Sequence, residues 1–177
     1  MKLISLYPSS ISVISKRFNE ENFYENKYLP IGNVAGSDSN VFRTLMMFDI
    51  KDKVLNTYKI KSATLNLCVE KNIYNLKRVS GNKIFLNNNT EEYNPLSVNW
   101  NNAPKCEYTG KFLIIEGCKD KYFINVDVSE LVNRWLNYYD DNFGITLMGM
   151  EDIDDCISIF SYSKNKNKPY LLLEVEA

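Results

Sequence analysis

The chain holds 177 residues with a formal net charge of -1, 45% apolar and 24% charged side chains, a composition that supports a folded core and does not fit a disordered tail. Its near-neutral balance, with an isoelectric point of about 5.6, lacks the basic face that general nucleic-acid binding requires. Histidine is absent, which removes Ser–His and Cys–His catalytic pairs, His-ligated zinc or haem, and imidazole pH switching.

Asparagine occurs 23 times, alanine four times and glutamine never, so poor helix formers hold the polar positions and strands and loops are favoured. The opening segment carries a short apolar run that Pro8, Ser9 and Ser10 interrupt, unlike the unbroken apolar stretch of a secretory leader. No window approaches the roughly 20 apolar residues of a membrane helix. The expectation is a chain made in the cytoplasm without a signal peptide and without membrane insertion.

Strands are predicted, in order, over residues 11–15, 43–49, 62–70, 83–86, 111–116, 122–126, 144–149, 157–162 and 170–175, with turn-rich clusters at 32–40 and 87–90. Many short strands separated by turn signals describe an all-β, antiparallel sandwich or jelly roll in one domain, 1–177. In the third of these strands a period of two places Ala63, Leu65, Leu67 and Val69 inward and Cys68 on the polar face. One segment breaks the pattern. Over 127–136, Val128, Leu131, Val132, Trp135 and Leu136 share a helical face, with Asp127 or Ser129 as cap and Glu130 near the positive end of the dipole. This predicts one short α-helix that plugs an end of the sandwich and buries Trp135.

Cys68, Cys106, Cys118 and Cys156 contain no CxxC pair, so a four-thiolate zinc site is not expected. An outward Cys68 offers a cross-link to a neighbouring molecule. Cys106 and Cys118 bracket a segment that reads as a hairpin and offer a pairing of their own.

Several motifs recur in a familiar order. Residues 41–50 (VFRTLMMFDI) followed by 60–67 (IKSATLNL) resemble the R-x-L-x-x-F-D … I-x-S-A-x-L-x-L core of the DNRLRE domain family. The stretch 97–104 (SVNWNNAP) is similar to that family's V-T-W-N-N-x-P loop, and 127–135 to its D-V-T-x-x-V-x-x-W helix. Asn142-Phe143-Gly144-Ile145-Thr146-Leu147 and the closing Phe160-Ser161 … Pro169-Tyr170-Leu171 extend the match, which runs from about residue 31 to 175. Tyr162 and Ser163 stand where the family often has Arg-Glu. The resemblance implies a jelly-roll β-sandwich, similar to carbohydrate-binding modules of the alginate-binding kind, on bacterial or archaeal surface proteins.

Asp49 and Asp127 are the candidate paired carboxylates, with Arg43 as partner. A glycosidase would need two such groups across a cleft. The preferred reading makes them structural, a carboxylate capping a turn or pairing with a buried Arg43. Arg43, Phe48, Asp49, Trp100, Asp127 and Trp135 are therefore expected in the core or anchoring its loops. The acidic run 151–155 offers oxygen ligands to calcium but lacks the EF-hand spacing, so it reads as a solvated loop, with no cofactor required. Tyr138 and Tyr139, just after the helix, are candidate glycan contacts, because rings stack on sugar faces and asparagines pair with hydroxyls.

The expected function is non-catalytic: a structural or assembly module of a cell-surface, spore-surface or appendage layer, partnered by itself or by other layer proteins. The alternative is a carbohydrate-binding module recognising a polysaccharide. The Asn-, Ile- and Lys-heavy composition fits an AT-rich bacterial genome, and a spore-surface protein released by lysis would need no export signal.

Overall fold

Apolar side chains at every second position organise a curled, mostly antiparallel sheet in the computed structural model, which describes residues 1–54, 57–117, 121–137, 139–162 and 167–176. Its strands are β1 (Lys2–Leu6), β2 (Ser10–Ser15), β3 (Phe23–Tyr24), β4 (Tyr28–Val34), β5 (Asn40–Met47), β6 (Lys59–Ile73), β7 (Asn82–Asn89), β8 (Cys106–Ile115), β9 (Tyr122–Asp127), β10 (Ile145–Met148), β11 (Cys156–Ser161) and β12 (Tyr170–Glu176). The path through the sheet is β1-β12-β6-β11-β4-β5-β10-β7-β8, with β2 and β3 against β5 and β9 against β6. β11 and β12 follow one another along one edge of β6, from Phe160 opposite Val69 to Tyr170 opposite Asn66, while β9 takes the other edge. The long β6 thereby carries the sheet round a continuous apolar core. Among the described residues no helix is long and apolar enough to cross a membrane.

Each predicted run overlaps a strand, and β4 is the main addition. It passes through Gly32, whose φ of +126° and contact with the Cys156 carbonyl leave no room for a Cβ. The predicted turn at 87–90 instead continues β7 to Asn89.

The helix α1 (Ser129–Leu136) begins two residues later than its pattern suggests. Asp127 Oδ1 accepts from the Ser129 N–H at 2.9 Å and hydroxyl at 2.6 Å, an Asx turn ahead of the helix rather than a cap on it. Those bonds hold the Asp127 carboxyl below its ordinary range. Leu131, Val132 and Trp135 are buried, and the Trp135 indole N–H donates to Asn88 Oδ1 at 3.0 Å. Phe48 is 2% exposed and joins the same core.

Four expectations need correction. Asp127 is exposed, as the Asx turn requires. Asp49 is exposed too, because β5 ends at Met47 and the chain turns outward before Ile50 re-enters the core. Neither carboxylate is a core group. Cys68 is 2% exposed rather than outward. It lies opposite Phe123 on β9, and Asn66 on the same face lies opposite Tyr170 on β12. The Phe123 and Tyr170 rings meet at 6.0 Å, so both faces of β6 are covered here, and burial pushes the Cys68 thiol up. Finally, the segment from Cys106 is one strand and not a hairpin, so it does not return its far end to Cys106; Cys118 lies outside the described residues.

A small second core lies on the opposite face of β2 and β5, where the loop 90–105 covers them. Ile14, Leu45 and Val98 are buried there, with Tyr93, Trp100 and Ala103 packed against them. The Ser12 hydroxyl and the Asn22 amide hold this loop by donating to the Pro95 carbonyl at 2.8 and 3.0 Å. The Tyr93 hydroxyl is buried without a partner among the described residues, and burial raises its pKa. A phenol kept neutral in the fold contributes stability below pH 10 that is lost at higher pH, where the unfolded chain ionises. Tyr93→Phe is expected to stabilise the protein by about 1 kcal/mol and to flatten that alkaline loss, as denaturant melts at pH 8 and pH 11 would show.

Candidate functional site

The outer face of β10, β7 and β8 carries a surface hollow. Alternation sends Leu147, Ile84, Leu86 and Leu113 into the core, which leaves their neighbours on the opposite face, where Thr146 and Asn87 are nonetheless buried. Strand pairing then sets those neighbours in two rows, Met148–Phe85–Phe112 and Thr146–Asn87–Tyr108. Strands spaced about 4.8 Å apart make each row about 10 Å long. The loop 149–153 rises beside the rows and closes a groove of about 500 Å³, lined by Phe85, Asn87, Tyr108, Met148, Glu151 and Asp152 among others.

A bulge in β8 shapes this groove. Phe112 and Tyr108 are four residues apart, whereas their partners Phe85 and Asn87 are two apart. The extra length is taken up at Thr109–Lys111, where Gly110 adopts φ +81°. The Thr109 hydroxyl pins the kink by donating to the Leu86 carbonyl at 2.8 Å. Tyr108 remains 52% exposed, edge-on to Phe85 at 5.7 Å between centroids. The result is a half-solvated aromatic ledge on an edge strand.

Arg43 and Glu151 close one end. The guanidinium donates twice to the carboxylate, from Nε to Oε1 at 2.6 Å and from Nη2 to Oε2 at 2.8 Å. Its other face lies 4.3 Å from the centre of the Trp100 ring. Arg43 thus pairs with Glu151, not with Asp49 or Asp127. Both side chains of this ion pair are about one-quarter exposed, so the carboxylate oxygens are fixed yet reachable. Trp100 is half-buried and anchors the 90–105 loop over Arg43. Cys106 lies nearby, half-buried and free; burial raises its thiol pKa, with Arg43 lowering it and Glu151 raising it by smaller amounts.

The acidic run spends its groups singly. Glu151 is held by Arg43, and Asp155 Oδ1 accepts from the Ala35 N–H at 3.1 Å. Among the described residues no group of three or more Cys, Asp or Glu side chains is gathered as a metal site.

Two other aromatic surfaces exist. Tyr139 is 79% exposed beside a hollow shared with Asn89, Asp141 and Phe143, and among the described residues no ring stacks on it; Tyr138 lies outside the described residues. Across the molecule, Tyr7, Tyr170 and Phe123 form a line with ring planes tilted by 57° and 62°. The groove differs from both in joining rings and a fixed carboxylate in one concavity, as ligand sites do. Sequence reasoning missed Phe85, Asn87 and Tyr108, and it read Glu151 as part of a solvated acidic loop rather than as the partner of Arg43. The alternation of Lys83, Phe85 and Asn87 was its only trace.

Residues 5–175 match carbohydrate-binding module family 96, and the chain belongs to that family. A search of curated proteins finds no match. Membership of a binding-module family makes this a non-catalytic protein.

Proposed function

We propose that the protein binds a polysaccharide in the groove between the β8 ledge and the 149–153 loop. The observation that carries this reading is the juxtaposition of the Tyr108–Phe85 ledge with Glu151, whose oxygens Arg43 immobilises. A sugar ring has an apolar face that stacks on an aromatic side chain and a rim of hydroxyls that donate to fixed acceptors. The groove offers both, and its volume falls within the usual range of ligand sites, about 300–1,000 Å³.

The same proposal reads the curled sheet as the jelly roll of the DNRLRE resemblance. β9, β6, β12 and β1 form one layer and β3, β2, β5, β10, β7 and β8 the other, with β4 and β11 between them. On this reading the module acts where polysaccharide is presented, at a cell or spore surface. An assembly role has less support, since its cross-linking thiol, Cys68, is buried.

Native gels cast with soluble polysaccharides test the proposal. Retarded migration of the wild type on at least one glycan, with Tyr108→Ala weakening affinity about tenfold as loss of a central aromatic anchor would, is the expected result. A wild type unretarded across the panel, or Tyr108→Ala retarded equally, would overturn it.

A further inference from the structure

The layer of β9, β6, β12 and β1 carries a cation that the fold leaves without a counter-charge. Lys168, half-buried just before β12, sets its ammonium 5.8 Å from the centre of the Tyr7 ring and 5.9 Å from that of Tyr162. Among the described residues no carboxylate forms an ion pair with it. The rings attract the ammonium but do not neutralise it, and its N–H groups remain available to an acceptor. Burial first, and the Glu25 charge next, raise the Tyr162 phenol pKa, so one carboxylate stands nearby. Lys27 opposes it: its carbonyl accepts from the Tyr162 N–H at 2.9 Å, and its ammonium lies over the Tyr28 ring at 5.2 Å. Among these side chains two ammonium groups face one carboxylate.

From Lys168 an aromatic line crosses the layer. Tyr7 meets Tyr170 at 6.3 Å, and Tyr170 meets Phe123 at 6.0 Å. Tyr7 is 59% and Phe123 48% exposed. Asn125, exposed on β9, aligns with Tyr170 through Asn66 and adds an amide that can pair with hydroxyls. The charges at that end are spoken for: Lys121 pairs with Glu70 at 3.0 Å, and Asp127 is held by Ser129. We infer that this face is a second glycan site, separate from the groove, that takes acidic polysaccharide. Lys168 receives a uronate carboxylate through charge-assisted hydrogen bonds, while Tyr7 and Phe123 cover apolar faces of the sugars. The inference rests on the reading of this protein as a polysaccharide binder and makes it bivalent. The ring planes, tilted by 57° and 62°, cannot all lie flat on one chain, so this is the weaker of the two sites. Two sites on opposite layers let one molecule join two chains, or grip one long chain twice with a gain from effective concentration.

The test uses two polyuronates, alginate and polygalacturonate, and short fragments of each, in calcium-free buffer at low ionic strength. Lys168→Gln keeps the side-chain length, and Tyr7 is exposed, so Lys168→Gln and Tyr7→Ala should both fold. Calorimetric titration of the wild type with fragments of at least one polyuronate should require two sites. Tyr108→Ala should retain the weaker one. Adding Lys168→Gln to Tyr108→Ala should weaken it about fivefold, the size of one opposite-charge contact at about 4 Å in water, and about 1 M salt should erase that difference. Wild type should cross-link the long polymer, seen as a rise in light scattering, whereas Tyr7→Ala or Tyr108→Ala alone should not. A single wild-type site, lost in Tyr108→Ala, with scattering unchanged in Tyr7→Ala and Lys168→Gln, would overturn the second site and leave the groove standing. Binding untouched by Tyr108→Ala but reduced in Lys168→Gln would support this face and remove the groove reading. A wild type that binds neither polyuronate would overturn the inference, and the groove would then stand or fall by the wider glycan panel.

Discussion

Trp135→Ala is expected to lower the unfolding free energy by about 4 kcal/mol, as loss of a fully buried tryptophan does elsewhere. Trp135 is 2% exposed, and with Phe48, Leu65, Val128, Leu131, Ile145 and Leu171 it surrounds a void of only about 10 Å³. These neighbours come from three strands, the helix, the residue leading into it and the segment after β5, so they cannot all close in on the space left behind. The truncation also strands Asn88 Oδ1, which accepts from the indole N–H. Trp135→Phe separates the two effects. It retains most of the packing and loses the donor, and should cost about 1–2 kcal/mol for the unpaired amide oxygen. Denaturant melts at fixed pH measure both. A cost below about 1 kcal/mol for the alanine variant would contradict the packing described.

Asn72→Ala should cost about 3 kcal/mol or more, although it removes only a short polar side chain. The Asn72 amide donates to the carbonyls of Ile115 and Gly117 at 3.0 and 2.9 Å, and Oδ1 accepts from Asn82 at 2.6 Å and Ser158 at 2.7 Å. One side chain thus ties β6 to β7, to β11 and to the end of β8. Alanine would leave several buried groups unpaired, at about 1–3 kcal/mol each before relaxation or water entry. Asn72→Asp is the control: it keeps the shape but replaces two donors with acceptors facing two carbonyls, and should be at least as damaging. Equal stability of Asn72→Asp and wild type would mean that shape alone matters at this position.

That network also explains what the asparagine-rich composition concealed. Asparagine reads as a turn residue because its side chain competes for backbone hydrogen bonds. In this fold the same capacity ties neighbouring strands and loops to one another. Asn87 donates to the Thr146 carbonyl, Asn89 donates to the Phe143 carbonyl and accepts from the Thr146 hydroxyl, and Asn88 receives the Trp135 indole. A predicted turn at 87–90 is therefore the buried end of β7. Tertiary hydrogen bonding overrode local propensity, as it did at β4, where Pro30 and Gly32 hide a strand in the sequence.

Strands with apolar alternation and the amphipathic helix were legible because burial on one side leaves a period in the sequence. The groove was not, because it is made on the other side of those strands. Its rows appear only when β7 is set against β8 with the bulge at Gly110. Its ion pair joins residues 108 positions apart. Adjacent tyrosines such as Tyr138-Tyr139 attract attention in a sequence; Tyr108, alone in a polar stretch, does not. Cys68 shows the opposite failure, since alternation reports one covered face and is silent about a second.

The most direct test of the central claim is to record backbone amide NMR shifts as an oligosaccharide fragment of a polysaccharide that retards the protein is titrated in. Polysaccharide binding in the groove predicts the largest changes at residues 83–87, 106–112 and 148–153, with the Trp100 indole responding through Arg43. Changes centred instead on Tyr139, or on Tyr7, Phe123 and Tyr170 across the molecule, with the groove silent, would contradict it.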